Sequence, residues 1–123
     1  TLSLLAEMAM RSASGPALNR SRARYELSLH ASRDREVMGA FTDAIDKFIA
    51  LSEDAVRLAQ PDAALDQKLI EEQAYAVTTF INGVMVRLAL GEATVESADH
   101  LGELLHALIA GIAAIRGASP GTA

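Results

Sequence analysis

The sequence predicts an all-α fold: a five-helix bundle domain whose last two helices pair with those of a second copy in a dimeric four-helix bundle. Apolar side chains recur at helical spacing along most of the chain, and Gly, Pro and Asp separate the periodic segments. No segment alternates as a strand does. With 123 residues, 50% of them hydrophobic, the chain can bury one core. We expect one domain over 1–116 and a disordered tail over 117–123.

The first two predicted helices are short. Thr1 to Ser12 places Leu2, Leu5 and Met8 on one stripe, and a Ser-Gly-Pro turn follows. The second helix, 17–32, carries its stripe on Leu18, Arg22, Tyr25 and Leu29. We expect Asp34 to cap the helix that comes next.

The third predicted helix runs from Val37 to the Gln-Pro-Asp turn at 60–62, because proline disfavours helical geometry in the residue before it. Its apolar or small residues recur at the spacing of one buried stripe. They are Phe41, Ala44, Ile45, Phe48, Ser52, Ala55, Val56 and Ala59.

The fourth helix, Ala64 to Leu90, has two apolar stripes and therefore needs two partners. One stripe holds Ile70, Ala74, Val77, Ile81, Val84 and Leu88, and the other holds Leu69, Ala76, Phe80, Gly83 and Leu90. Gly91 supplies the left-handed residue that ends it, and Thr94 or Ser97 caps a fifth helix ending near Arg116. The apolar residues of that helix are Leu101, Leu104, Leu105, Leu108, Ile109, Ile112 and Ile115.

The excess of apolar surface on the last two helices predicts a two-fold homodimer. Glycine inside a helix is unfavourable unless it lets two backbones approach closely, which is the role expected of Gly83. The expected interface residues are Ala76, Phe80, Gly83, Leu101, Leu104, Leu105, Leu108 and Ile112. The alternative is that the fourth helix packs internally on the first or third.

Composition narrows the class of protein. The net charge of −5 disfavours nucleic-acid binding, although arginines cluster at Arg11, Arg20, Arg22, Arg24, Arg33 and Arg35, so a solvated face is expected for them. The absence of cysteine excludes disulfides and thiolate metal sites.

Polar residues interrupt the apolar stretch Ala74 to Gly91, and no signal peptide is evident. We expect a soluble cytoplasmic protein with no membrane partner.

Catalytic chemistry has little support in the sequence. Glu103 and His106 have the E-x-x-H spacing of di-iron bundles, with His100 nearby, but such a bundle needs two of these pairs. A polar helix face is the expected reading, and a metal-bundle enzyme is the competing one. His30 suits a helix C-terminus. We therefore expect no enzyme, no catalytic residue, no metal and no cofactor.

A binding function is the reading that remains. Apolar side chains on four helices, with three polar groups to orient a ligand, could line a cavity for a small apolar effector. These are Met8, Arg24, Tyr25, Leu29, Phe41, Ile45, Phe48, Val77, Thr78, Ile81 and Asn82. The alternatives are ordinary core for the apolar members and a solvent-facing position for Asn82.

Over nearly its whole length the chain resembles the C-terminal domain of the TetR family of bacterial transcription regulators. The likeness lies in the arginine-rich stretch Arg22 to Asp34, in Phe80-Ile-Asn-Gly-Val84, and in the two closing apolar helices. It implies an effector-binding and dimerisation domain of a repressor that leaves DNA when ligand binds. The resemblance also implies an N-terminal helix-turn-helix domain, for which there is no room before Thr1, so DNA would be bound only through that absent domain. A purely structural dimerisation module is the alternative.

Overall fold

The computed structural model describes residues 1–12, 19–20, 22–24, 26–27, 35–61, 66–92 and 95–121, with the backbone alone at 37, 41 and 117–121. Every regular element in these ranges is a helix, and none is a strand, so the predicted all-α class is confirmed. The helices are α1 (Leu2–Ser12), α3 (Arg35–Ala59), α4 (Gln67–Ala89) and α5 (Ala98–Gly121), and the helical residues at 19–20, 22–24 and 26–27 are called α2.

Helix α4 lies at the centre of the core, where it contacts α1, α3 and α5. Helix α1 packs mainly on α5, through the stripe on Leu2, Leu5, Ala6 and Ala9. The buried cluster consists of Leu2, Leu5, Ala6, Ala9, Ala55, Val56, Ile70, Val77, Ile81, Val84, Val95, Leu101, Leu105 and Ile109. Each large aliphatic side chain in it contributes about 1.5–3 kcal/mol relative to exposure in water.

The stripe predicted along α3 is buried in its second half only. Ser52, Ala55 and Val56 are in the core, whereas Ala44 is exposed and Ile45 is 53% exposed. The continuous buried stripe predicted for this helix is therefore wrong at its beginning. Periodicity identifies a face, but a face is buried only where another helix lies against it.

Local capping rules account for the turn before α4. Asp66 precedes the helix, and its Oδ1 accepts a hydrogen bond from the backbone N–H of Leu69 at 2.9 Å. The helix consequently begins at Gln67, later than the predicted Ala64. At the end of α3, the N–H of Gln60 donates to the carbonyl of Arg57 at 3.1 Å.

The turn between α4 and α5 agrees with the sequence prediction. Gly91 has a φ of +86°, and its N–H donates to the carbonyl of Leu88 at 3.0 Å. Ser97 is the cap of α5, since its hydroxyl accepts the N–H of His100 at 3.1 Å, while Thr94 lies outside the described residues, as does Asp34.

Helix α5 continues to Gly121, beyond the predicted end near Arg116. Gly117 and Ser119 lower helix propensity, and Pro120 has no N–H to donate to the helix, so composition does not explain the extension. The expected disorder of 117–123 stays a prediction.

Candidate functional site

An open apolar groove lies between α4 and α5, and Val84 and Val95 of the core cluster form part of its wall. Its volume is about 390 Å³. It is lined by Phe80, Gly83, Val84, Arg87, Val95 and Leu104. Three of the predicted interface residues, Phe80, Gly83 and Leu104, are thus brought together on one surface.

Gly83 forms an open part of the groove wall. A methyl group built at its Cα would meet no other atom within 4 Å, so the monomer itself gives no steric reason for glycine here. At the rim, Arg87 makes an ion pair of 3.4 Å with Glu92, and both side chains are more than half exposed. The groove is therefore an apolar surface with a neutralised charged edge.

The groove continues along α5 as an apolar stripe at helical spacing. Leu104 and Leu108 are half-buried against the core, and Ile115 is 71% exposed. Gly111 lies on the same side by helical periodicity, and it too has open space where a side chain would be. Gly111 was not among the predicted interface residues, although its spacing from Leu104 and Leu108 could have identified it.

Helix α5 is more apolar than its place in the core requires. Between Ala98 and Arg116 it is long and apolar enough, by length and composition, to cross a membrane, and only 22% of the stretch is buried. Sequence reasoning had singled out Ala74 to Gly91 as the most apolar stretch instead. One such helix is also what an apolar protein interface provides.

The other predicted interface residues divide between surface and core. Ala76 and Ile112 are half-buried. Leu101 and Leu105 are fully buried in the protomer's own core, so their assignment to the dimer interface is wrong. Both belong to the face of α5 that packs within the protomer, and sequence alone could not separate this face from the adjoining one.

The predicted ligand-binding residues do not share one environment. Val77 and Ile81 are fully buried in the core, and the Thr78 hydroxyl donates to the Tyr75 carbonyl at 3.0 Å. Phe48 is half-buried against the core. Met8, Arg24, Ile45 and Asn82 are exposed, and the side chains of Tyr25, Leu29 and Phe41 lie outside the described part of the chain. The described members therefore divide between core and surface.

The predicted alternative of a metal site concerns His100, Glu103 and His106 of α5. His100 Nδ1 accepts the backbone N–H of Glu96 at 3.2 Å, while Glu103 and His106 are exposed. Among the residues that the structure describes, no three His, Cys, Asp or Glu side chains are grouped as a metal ion requires. His30 lies outside those residues.

One arginine of the basic cluster has a role that the sequence did not reveal. Arg22 Nε donates a hydrogen bond of 2.9 Å to the carbonyl of Ala89, at the C-terminal end of α4. A cation at this end of a helix satisfies a free carbonyl and suits the helix dipole. Arg20, Arg24 and Arg35 are exposed, as predicted, and Arg33 lies outside the described residues.

A buried amide pair joins three helices, and sequence reasoning missed it. Gln73 of α4 is fully buried and hydrogen-bonds both to Gln60, just after α3, and to the carbonyl of Ile109 in α5. The Ser52 hydroxyl is also fully buried, without a hydrogen-bond partner among the described residues. The sequence signal that could have pointed to the pair is the position of Gln73 beside Ile70, Ala74 and Val77, at the spacing of the apolar stripe of α4.

Comparison of the chain with family models, with curated proteins and with solved structures finds no match. The groove and its surroundings are therefore the basis for assigning a function.

Proposed function

We propose that this chain is a homodimerisation domain in which α4 and α5 meet the same two helices of a second copy as a four-helix bundle. The observation that carries the proposal is the open groove of about 390 Å³ between these helices, with apolar walls. It continues along the stripe of Leu104, Leu108 and Ile115. A contiguous apolar surface of this kind marks an interaction site in a soluble protein.

A second copy of the chain is a suitable partner, because its own α4–α5 groove is equally apolar. It is also always present at matching concentration. A standard two-protein interface removes about 800 Å² from each partner.

The two glycines beside the groove favour close helix packing. Gly83 on α4 and Gly111 on α5 both face open space, although glycine inside a helix costs about 1 kcal/mol relative to alanine. Close approach of a partner helix would offset that cost. Leu104 and Leu108 would then become fully buried.

We further propose that the dimer serves as the effector-binding and dimerisation part of a TetR-type bacterial transcription regulator, a cytoplasmic repressor released from DNA by a small apolar molecule. The support is the resemblance stated above, whose Phe80-to-Val84 segment forms part of the groove. DNA would be bound by a separate N-terminal domain, and the dimer would hold two such domains in a fixed relation.

A purely structural dimerisation module is the second candidate. It is favoured by the burial of Val77 and Ile81 in the core and by the satisfied hydroxyl of Thr78, three residues predicted to line an effector cavity. A thermal-shift screen of small apolar molecules separates the two candidates, because a ligand of the folded state raises the melting temperature. A reproducible, saturable rise supports the effector-binding regulator, and no rise across the screen favours the structural module.

The dimer itself is tested by introducing charge on the proposed interface. Ile115 is 71% exposed in the protomer, so Ile115→Glu leaves the core intact but places a carboxylate on the apolar stripe. Leu108→Glu is the stronger variant. Ala110→Glu is the matched control, because Ala110 is exposed and lies on a different side of α5. We expect light scattering to give a monomer for the first two variants and a dimer for the control. Dimers of unchanged affinity in all three would contradict the proposed interface.

A further inference from the structure

The amide groups of Gln60 and Gln73 bind each other reciprocally. Gln73 Nε2 donates to Gln60 Oε1 at 3.0 Å, and Gln60 Nε2 donates to Gln73 Oε1 at 2.9 Å. The second hydrogen of each amide is also used, since Gln73 Nε2 donates to the Ile109 carbonyl at 2.9 Å and Gln60 Nε2 to the Val56 carbonyl at 3.3 Å. Each donor of the pair therefore has an acceptor.

The hydrogen bonds of this pair depend on direction, whereas the apolar contacts around it do not. Gln73 is fully buried on the core side of α4, among Ile70, Ala74 and Val77. Apolar contacts depend on buried area and tolerate sliding of one helix along another. A shift of α5 by one residue moves the Ile109 carbonyl by about 1.5 Å, which is enough to break its hydrogen bond. A buried amide that loses its partner is unfavourable, because it has given up its hydrogen bonds to water and gained none in return.

We infer that Gln60 and Gln73 form a clasp that fixes the position of α5 along α4 and couples it to the end of α3. The consequence for dimerisation rests on the proposed function, in which α5 belongs to the interface. A displacement of the end of α3 would break the reciprocal pair, weaken the hold of Gln73 on Ile109 and loosen α5. The clasp is thus a route by which a change at α3 reaches the dimer.

The proposed coupling begins on α3, which carries residues that the sequence predicts to contact an effector. Ile45 and Phe48 belong to α3, and Phe48 is half-buried against the core. Val56, whose carbonyl accepts from Gln60, belongs to the buried half of the same helix. The chain from Phe48 to Gln60 is helical up to Ala59, so an axial movement of α3 moves Gln60 with it.

The position of α5 on α4 can be measured within one protomer. The chain has no cysteine, so Lys68→Cys and Glu103→Cys, both at exposed positions, give two unique sites for spin labels on α4 and α5. Labelled protein diluted into an excess of unlabelled protein reports only the distance inside a protomer. The Gln73→Leu variant removes the clasp. Gln67→Leu is the control, because Gln67 is an exposed glutamine of the same helix that accepts a hydrogen bond from Arg57 of α3 and contributes nothing to the bond with Ile109.

We expect one narrow distance in the parent protein and in Gln67→Leu. In Gln73→Leu we expect a shifted or broadened distribution, by about 1.5 Å or more. We also expect its dimer dissociation constant to rise about tenfold, in line with the loss of a buried hydrogen-bonded partner. A distribution in Gln73→Leu identical to that of the control would overturn the clasp.

A double-mutant cycle gives a second readout. If Gln73→Leu alone does not fold, the double variant is compared with Gln60→Leu, which the clasp predicts to be the less stable of the two. Gln60→Leu leaves one amide unpaired, whereas the double Gln60→Leu/Gln73→Leu variant leaves none. We expect the double variant to unfold at a higher denaturant concentration than additivity predicts. Strict additivity would contradict the clasp. A parent protein that is monomeric would sink the proposed dimer but not the clasp, because both readouts are made within a single protomer.

Discussion

The two faces of the α4–α5 pair differ in what they contact, although both are apolar. On the inner face, Val77 and Leu105 are fully buried within the protomer. On the outer face, Phe80 and Leu104 are half-buried at an open groove. Gly83 lies beside them, and a Cβ added there would meet no atom within 4 Å. The inner face therefore determines whether the protomer folds, and the outer face is available to determine what the folded protomer binds.

The largest effect is expected from a cavity on the inner face. Leu105→Ala should lower the free energy of unfolding by about 2–5 kcal/mol, because the surrounding core cannot collapse completely around the missing atoms. Chemical denaturation followed by circular dichroism measures this loss. A loss below about 0.5 kcal/mol would mean that the inner face is less tightly packed than described.

Truncation of Phe80 on the outer face should weaken association, and it should also lower the stability of the protomer, because Phe80 packs partly against the core. Aromatic side chains at the centre of an interface commonly contribute about 2 kcal/mol or more, so Phe80→Ala should weaken the dimer by about thirtyfold. Tyr75→Ala is the control, since Tyr75 is 69% exposed on a different side of α4. Sedimentation equilibrium measures both dissociation constants. Equal dissociation constants for the two variants would remove the distinction between the faces.

Substitution of Gly83 should have opposite effects on the protomer and on the dimer. Gly83→Ala meets no atom within 4 Å, so it should stabilise the isolated helix by about 0.5–1 kcal/mol. If a partner helix approaches closely there, the same methyl group should weaken association. Gly39→Ala on α3 has the same open surroundings and should only stabilise. Dimer affinity unchanged by Gly83→Ala would show that no partner backbone lies against this position.

The smallest effect is expected from the ion pair that joins the two helices at their other end. Arg116 Nε lies 2.8 Å from Glu72 Oε2, and the two side chains are 62% and 33% exposed. Glu72→Gln should therefore lower the free energy of unfolding by about 0.2–1 kcal/mol, and by less in high salt. Urea titrations at low and high ionic strength measure the difference. A loss that does not depend on salt would indicate a packing contribution from Glu72.

Local rules predicted the ends of the helices better than periodicity predicted burial. Gly91 and Ser97 act as expected, because capping depends on residues that are close in sequence. The described side chains in the first half of α3 are exposed, although the apolar pattern of this helix continues into the core. Helix α3 packs mainly on α4 and less on α1, and neither helix buries the described side chains of this first half.

Two hydrogen bonds that sequence reasoning missed join distant parts of the chain. Arg22 reaches a carbonyl 67 residues away, and Gln73 reaches one 36 residues away. In both cases the partner is a backbone carbonyl. Because every residue has one, the sequence does not show which carbonyl accepts the bond. The assignment of Leu101 and Leu105 failed for a related reason: two adjoining apolar faces on one helix can be told apart only when the neighbouring helices are placed.

The mass of the parent protein in solution tests the central claim most directly. Sedimentation equilibrium over a range of micromolar concentrations should give twice the chain mass of 13.0 kDa, with dissociation only on dilution. The outer faces of α4 and α5 are then covered by a second copy. A mass of 13.0 kDa at every concentration would contradict the account, because the groove between α4 and α5 would have no second copy against it.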